Sequence, residues 1–405
     1  MIIERKIVIL PKIIKMKRIC FVVDSIFSFG GVQRVTAVIA KGLAKDYDVT
    51  ILTFDNPESM DTSLYELKNA SINYCFFSYP SIKQYKKWIC KIYSGLYCII
   101  KPQGIFWSNL YSLSSFPSEL RNALGMKLRN GQYDTIIGVH APLAARLATL
   151  RPMLQNVRLF GWLHNSFEAL FGDASLYIGA ERKRHYIYQF GKLDLTIVLS
   201  NYDANKYIQY DQSFKPIVIY NPLTLKPGEK SSGNTKRFLA VGRFSHKHKG
   251  FDLLIEAYSI FTNHNKEWML DIVGEGPEEE YYRSLISKYH LEKRIWLHPF
   301  THNIQEYYSN AQIYILSSRW EGFGLVIVEA MAHGVPVISS DLPTSKEIMG
   351  DVGIYYKNGS IQDLAHSLEY ATKIDWQRKS EEAINVASRF NVEHIIMQWK
   401  EILER

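Results

Sequence analysis

Two glutamates, Glu321 and Glu329, flank a glycine-containing turn in the carboxyl half of the chain. The turn contains Gly322 and Gly324, follows an apolar run at 313–318 and precedes a segment with helical spacing. Glycine lets the backbone approach a ligand closely, and the free N–H groups at a helix start attract an anion. A phosphate fits there. The two carboxylates, about 7 Å apart along the helix axis, can accept hydrogen bonds from hydroxyls at the two ends of a nucleotide sugar.

A second cluster is the basic loop at 241–250, which also follows an apolar run and precedes a helical pattern. Arg243, Lys247 and Lys249 stand in it with two histidines and two glycines. An arginine offers a fork of donors to phosphate oxygens, and a lysine offers a compact charge. The loop therefore reads as a diphosphate site or, alternatively, as a solvated basic surface.

Short β-branched runs alternate with helix-like segments along the chain, first over 19–220 and again over 237–356. This rhythm is typical of βαβ units, so it predicts an α/β protein with two Rossmann-like, doubly wound parallel sheets facing across a cleft. The predicted divisions are an extension at 1–15, a first domain at 16–220, a linker at 221–236 and a second domain at 237–390. An amphipathic helix follows at 391–405, and it could pack back on the first domain.

Several motifs together resemble the family 4 retaining glycosyltransferases of the GT-B fold. They are the E-x7-E element of Glu321 to Glu329, the run from Gly242 to Ala257, and Gly274-Glu275-Gly276-Pro277. In the first half, the sequence from Phe29 to Val35 resembles the glycine loop of the family, and 162–165 resembles its histidine-bearing strand end. The carboxyl half is the stronger match.

The resemblance implies roles for individual residues. Arg243 and Lys249 would bind the donor diphosphate, Glu329 would accept bonds from the ribose, and Glu321 would face the transferred sugar. His164 would lie near the reacting sugar. The donor-side residues that the resemblance adds are Gly31, Gly322, Phe323, Gly324, Leu325, Glu275 and Pro299.

Two departures from the family pattern affect these assignments. One residue more than usual separates Arg243 from the Lys-Gly pair, so Lys247 competes with Lys249 for the phosphate role, and the glycine after Lys249 favours Lys249. Pro299 stands where the family commonly has glycine, and proline has no N–H to offer a nucleobase.

The composition of the chain indicates the kind of partner and the cellular location to expect. Lys and Arg exceed Asp and Glu by 48 − 40 = 8 among 405 residues, which favours an anionic partner. The aromatic and basic stretch at 74–116 reads either as buried core or as a surface for anionic lipid. Four cysteines without a C-x-x-C pair and no signal peptide or membrane span predict a cytoplasmic enzyme, at most peripheral on the inner membrane face.

We therefore expect transfer of a hexose or N-acetylhexosamine from a nucleoside-diphosphate sugar, UDP-linked by preference. The expected acceptor is a glycan or lipid-linked saccharide in surface polysaccharide synthesis. No metal or other cofactor is expected, because cations and helix N–H groups can stabilise the leaving diphosphate.

Three other functions compete with this interpretation. A nucleotide-sugar epimerase or hydrolase of the same fold would need no acceptor. An NAD-dependent oxidoreductase is disfavoured because no G-x-G-x-x-G follows the first strand. Nucleic-acid binding is disfavoured because the basic residues are dispersed.

Overall fold

The computed structural model describes residues 16–102, 104–172, 175 and 177–405, apart from the side chains of 246 and 247. The extension predicted at 1–15 therefore lies outside the described residues.

The first sheet has seven strands, all parallel, in the order β3-β2-β1-β4-β5-β6-β7. The strands are β1 (Arg18–Val23), β2 (Asp48–Thr53), β3 (Ile72–Phe76), β4 (Thr135–Val139), β5 (Arg158–Trp162), β6 (Leu195–Val198) and β7 (Pro216–Val218). The central strand β1 pairs Ile19 with Val49 on one side and with Thr135 on the other. Its apolar side chains are almost fully buried, as expected of a parallel strand covered by helices on both faces.

The second sheet has six parallel strands in the order β10-β9-β8-β11-β12-β13. They are β8 (Arg237–Val241), β9 (Met269–Val273), β10 (Ile295–His298), β11 (Ile313–Leu316), β12 (Val337–Ser340) and β13 (Ile354–Tyr356). The prediction of two doubly wound α/β units is confirmed.

Helices cover both faces of each sheet. Those of the first half are α1 (Gly31–Leu43), α2 (Gln84–Ile100), α3 (Ile105–Ser115), α4 (Ser118–Asn130), α5 (Ala141–Ala148), α6 (Phe167–Phe171), α7 (Lys183–Phe190) and α8 (Asn201–Tyr210). Those of the second half are α9 (His246–Lys249), α10 (Phe251–Phe261), α11 (Glu279–Lys288), α12 (Ile304–Asn310), α13 (Leu325–Ala332), α14 (Pro343–Met349), α15 (Ile361–Ala371), α16 (Trp376–Ala387) and α17 (Val392–Glu404). Within the part of the chain that is described, none of these helices combines the length and the apolar character needed to cross a bilayer.

The last helix, α17, packs on the first sheet. Trp399 is fully buried, with its ring centroid 4.7 Å from that of Trp162 and 6.3 Å from that of Phe21. Lys17 Nζ donates to the carbonyl oxygen of Leu403 at 3.0 Å. The chain thus crosses between the two halves twice, after β7 and again before α17.

Candidate active site

The candidate site lies where each sheet changes direction. β1 stands between β2 and β4, and β8 stands between β9 and β11, so the loops that follow β1, β8 and β11 diverge at the carboxyl edges. Such switch points open the crevice in which parallel α/β sheets bind ligands. Gly31, Arg243, Lys249 and Glu321 lie on or at the end of these three loops, whereas His164, Glu275 and Pro299 follow β5, β9 and β10.

Glu321 and Lys249 form a buried ion pair at the centre of the second half. Lys249 Nζ lies 2.5 Å from Glu321 Oε1, and the two side chains are only 14% and 9% exposed. Ser318 Oγ donates to the same oxygen at 2.6 Å, and His248 Nε2 lies 3.8 Å from it. Burial by itself raises the pKa of Glu321, but Lys249, His248 and these hydrogen bonds outweigh it and hold the pKa below its usual value. The carboxylate is therefore charged.

Two glycines fix the position of Lys249. The Lys249 stem passes over Gly242, where a Cβ would lie 3.1 Å from the side chain. Gly250 ends the short helix α9 with a positive φ of 65°, and a Cβ there would lie 2.2 Å from the carbonyl oxygen of Ser317. Ser317 Oγ also donates to the carbonyl oxygen of Lys249 at 2.7 Å. The end of α9 is thereby fixed to the end of β11.

The basic loop contains two other cations, Arg243 and Lys247. The Arg243 side chain is exposed, and no carboxylate of the described residues pairs with it. The side chain of Lys247, the alternative phosphate ligand, lies outside the described residues. Lys249 is therefore held by Glu321, whereas Arg243 is available to an anion at the strand end.

Glu329 lies in α13, one helical turn beyond its start, and is 2% exposed. Arg34 Nη2 from the first half donates to its Oε1, and Tyr308 OH donates to its Oε2 at 3.0 Å. Each carboxylate oxygen keeps a further lone pair that can accept a hydroxyl. Arg34 thus links α1 to α13 across the cleft.

His164 and Gly322 bring the two halves into contact. A Cβ on Gly322 would lie 2.2 Å from the carbonyl oxygen of His164, so the loops meet at backbone distance. Among the described residues, neither ring nitrogen of His164 has a hydrogen-bond partner, although the side chain is buried. Burial and then the neighbouring His140 hold the pKa of His164 well below its usual value. A neutral imidazole with two uncommitted nitrogens is suited to hydrogen-bonding a substrate.

The remaining donor-side residues lie at the cleft in different ways. Gly31 begins α1 with its Cβ position 3.3 Å from Leu325 Cδ1, and Gly324 has a positive φ of 84° at the start of α13. Phe323 is buried against Tyr220, with ring centroids 6.1 Å apart, so only its backbone can face a ligand.

Glu275 and Pro299 are exposed at the ends of β9 and β10. The backbone carbonyl of Glu275 accepts a hydrogen bond from Phe244 N at 2.8 Å, and the next strand end carries Phe300, whose ring lies 5.3 Å from that of Phe29. Aromatic rings from both halves therefore border the cleft near β10.

Sequence reasoning missed Arg34, Tyr308 and Ser318 as site residues. Arg34 lies within the quoted glycine loop, and its only local signal is a cation in the first turn of a helix that follows glycines. Within the described ranges, no three His, Cys, Asp or Glu residues cluster as metal ligands. That the reaction needs no metal stays a prediction.

Two family models match the chain. The one described as glycosyl transferases group 1 matches residues 224–389, and the one described as glycosyltransferase family 4 matches residues 29–226. The junction between them falls between β7 and β8, and together they include every site residue described above.

Full-length relatives and a solved structure agree with these matches. An uncharacterized glycosyltransferase of Haemophilus influenzae is 26% identical over 96% of this chain and 100% of its own. The amylovoran biosynthesis glycosyltransferase AmsD of Erwinia amylovora is 25% identical over the same shares. Anabaena HepE, solved in complex with UDP-glucose, superposes with a TM-score of 0.71 over 96% of this chain and 99% of its own at 20% identity.

Proposed function

Because the chain belongs to the family 4 glycosyltransferases and has the GT-B fold, we propose that it uses a UDP-linked hexose or N-acetylhexosamine as donor. The sugar passes to a glycan or lipid-linked saccharide in the assembly of a surface polysaccharide, with retention of the anomeric configuration.

The observation that carries the proposal is the pairing of Glu321 with Lys249 beside the start of α13, with Glu329 one turn further along. Lys249 and the exposed Arg243 supply positive charge at the strand ends, and the first N–H groups of α13 add the positive end of a helix dipole. A diphosphate held there has its sugar toward Glu321 and its ribose toward Glu329. This arrangement accounts for two carboxylates in an otherwise cationic pocket.

The nucleotide and acceptor classes are supported by what similar proteins bind or make. Anabaena HepE was solved with UDP-glucose, which favours uridine as the base. AmsD takes part in amylovoran biosynthesis, and a further relative from Escherichia coli is an O-antigen biosynthesis glycosyltransferase, 26% identical over 44% of this chain. Both names favour an extracellular polysaccharide as the end product.

In the proposed reaction, the bond between the anomeric carbon and the diphosphate oxygen breaks, and the acceptor oxygen bonds to that carbon on the same face. The acceptor proton passes to the leaving phosphate. Arg243, Lys249 and the α13 amides stabilise the negative charge that grows on the diphosphate. The neutral His164 hydrogen-bonds a sugar hydroxyl and orients the ring. A double displacement through a carboxylate is the competing route, and it requires a covalent glycosyl-enzyme.

The first test is binding of nucleotide sugars to the purified chain, with UDP-glucose, UDP-galactose, UDP-N-acetylglucosamine and GDP-mannose as probes. A ligand at 100 times its dissociation constant stabilises the folded state by about 2.7 kcal/mol, which a thermal scan detects. The Glu329→Gln variant should lose most of this stabilisation, whereas Glu381→Gln, an exposed change on α16, should keep it. Stabilisation by NADH but by none of the four probes would contradict the proposal.

The second test is the product. With the preferred donor and a lipid-linked acceptor, NMR of the product should show the donor's anomeric configuration, and added EDTA should leave the rate unchanged. Incubation without acceptor distinguishes the alternatives, because an epimerase or hydrolase would consume the donor and a transferase would not.

A further inference from the structure

The α2–α3 hairpin, described at residues 84–102 and 104–115, lies between β3 and α4 and has few buried apolar side chains. The two helices touch through the rings of Tyr97 and Tyr111, 4.4 Å apart, and through the hydroxyls of Ser94 and Ser114, 3.0 Å apart. Tyr97 is the only buried residue of α2. On α3, Ser108 Oγ hydrogen-bonds His185 Nδ1 at 2.9 Å and anchors the hairpin to α7. The hairpin is thus attached to the domain along one side.

The hairpin also exposes a large apolar surface. Its large side chains are 41–78% exposed, and they are Tyr85, Trp88, Ile89, Ile92, Leu96, Ile99 and Ile100 on α2 with Ile105, Phe106, Trp107 and Leu113 on α3. At 100° per residue, the α2 members fall within a stripe about 120° wide. The apolar residues of α2 therefore form one face of the helix, and no other part of the described chain covers that face.

The charge of this region has one sign. Residues 67–118 contain six lysines and neither Asp nor Glu. Lys87 and Lys91 are exposed, and no described carboxylate pairs with either. At 100° per residue, Lys91 lies about 60° and Lys87 about 100° beyond one edge of the apolar stripe, whereas Lys86 lies about 40° beyond the other edge and pairs with Glu119 of α4. Apolar side chains flanked by unpaired lysines complement a surface that is apolar inside and anionic at its boundary.

We propose that the α2–α3 hairpin docks this protein on a lipid bilayer that carries anionic headgroups. The stripe of α2 enters the boundary between headgroups and acyl chains, Trp88 and Tyr85 lie at headgroup depth, and Lys91 extends from the flank toward the phosphates. Lys87, further round the helix, is attracted by the negative surface potential of the membrane. A second copy of the chain fits this surface less well, because it would bring two clusters of lysines together. The hairpin leaves its sheet after β3, at the same carboxyl edge as the loops of the site, so docking brings the cleft to the membrane surface.

The test is cosedimentation of the purified full chain with vesicles of phosphatidylcholine alone and with vesicles in which about a third of the lipid is phosphatidylglycerol. Binding should require the anionic lipid, weaken with salt, and shift the Trp fluorescence to the blue. Lys87→Ser with Lys91→Ser should lower the vesicle affinity about 25-fold, at about fivefold for each lysine. Trp88→Ser and Ile92→Ser should each lower it about tenfold. All four side chains are at the surface, so thermal scans of the variants should match that of the wild type.

Matched controls remove the same kinds of group elsewhere on the surface. Lys266→Ser with Lys293→Ser removes two exposed lysines of the second half, and Met397→Ser removes an apolar side chain of α17 that is 60% exposed. These variants should bind vesicles as the wild type does. Because every variant retains residues 1–15, equal binding by the wild type and the hairpin variants would assign the affinity to another segment and overturn the proposal. Self-association that Trp88→Ser abolishes, without binding to vesicles, would overturn it in favour of a dimer.

Discussion

Replacing Lys249 with methionine isolates the electrostatics of the candidate site from its chemistry. The change keeps most of the aliphatic stem over Gly242 but leaves the Glu321 carboxylate buried with Ser318 Oγ as a hydrogen-bond donor and His248 at 3.8 Å. Removing one partner of a buried pair costs about 3–5 kcal/mol. For a domain of this size, each kcal/mol shifts the melting temperature by about 2–4 °C, so Lys249→Met should melt roughly 6–20 °C lower at pH 7.5.

The stability of the wild type and that of Lys249→Met should change with pH in opposite directions. In the wild type the folded-state pKa of Glu321 is lowered, so its contribution to stability is present above the unfolded pKa and is lost as the pH falls through the folded pKa. In Lys249→Met, burial without the ammonium raises the folded pKa of Glu321, so stability is lost as the pH rises through it. Protonation of His248 at lower pH compensates further. The difference between the two proteins should therefore be largest near pH 7.5 and shrink toward pH 5.

Thermal scans by circular dichroism at both pH values measure this difference. The double variant Lys249→Met with Glu321→Gln should recover most of the lost stability, because no unpaired charge remains buried. Lys373→Met breaks an exposed pair with Glu369 and should leave the melting temperature nearly unchanged. A melting temperature of Lys249→Met within about 2 °C of the wild type at pH 7.5, less than 1 kcal/mol, would refute the buried pair and the lowered pKa of Glu321 together.

Of three further predictions, the first two concern kcat with saturating donor and the third concerns donor binding. Arg243→Ala should lower kcat on the order of 10² to 10³ with an unchanged melting temperature, because its side chain is exposed; near-wild-type kcat would remove it from the mechanism. Gly322→Ala places a Cβ 2.2 Å from the carbonyl oxygen of His164 and should lower kcat by a factor on the order of 10². The control Gly95→Ala, which has open space around its Cβ, should leave kcat unchanged. Equal rates for the two variants would show that the loops of the two halves do not meet. Glu329→Gln should raise the dissociation constant for the donor about 10- to 100-fold, measured by calorimetry, and an unchanged value would place the ribose elsewhere.

The fold could be predicted from the sequence because it depends on local signals. β-branched runs bounded by glycines mark strand ends, and the carboxyl ends of parallel strands share an edge, so Arg243 and Glu321 could be placed at that edge without a structure. The turn before α13 could also be predicted from the sequence near it, because Gly324 adopts a positive φ that favours glycine.

Contacts between the halves could not be predicted in this way. Arg34 and Glu329 are 295 positions apart, and nothing in the residues near either one specifies how closely the two sheets approach. The stretch at 74–116 was ambiguous for a different reason. Aromatic and aliphatic residues at helical spacing describe a buried face and an exposed one equally well, and only the packing of the α2–α3 hairpin separates the two readings.

The Arg34 contact has a consequence for the order of events in the cleft. Glu329 is the carboxylate proposed for the ribose, yet one of its oxygens already accepts from Arg34 of the first half and the other from Tyr308 of the second half. A ribose hydroxyl that arrives at Glu329 must therefore share the carboxylate with Arg34 or displace it. If it shares, donor binding adds a bond to a cleft that the ion pair already holds together. If it displaces Arg34, the guanidinium is freed beside the anion site and can turn to the diphosphate, as bidentate donors favour phosphate oxygens. In the first case Glu329 joins the two halves and recognises the donor together. In the second case the donor replaces the ion pair, and Arg34 can join the halves through the diphosphate instead. In both cases opening of the cleft and loss of the nucleotide are coupled through Glu329.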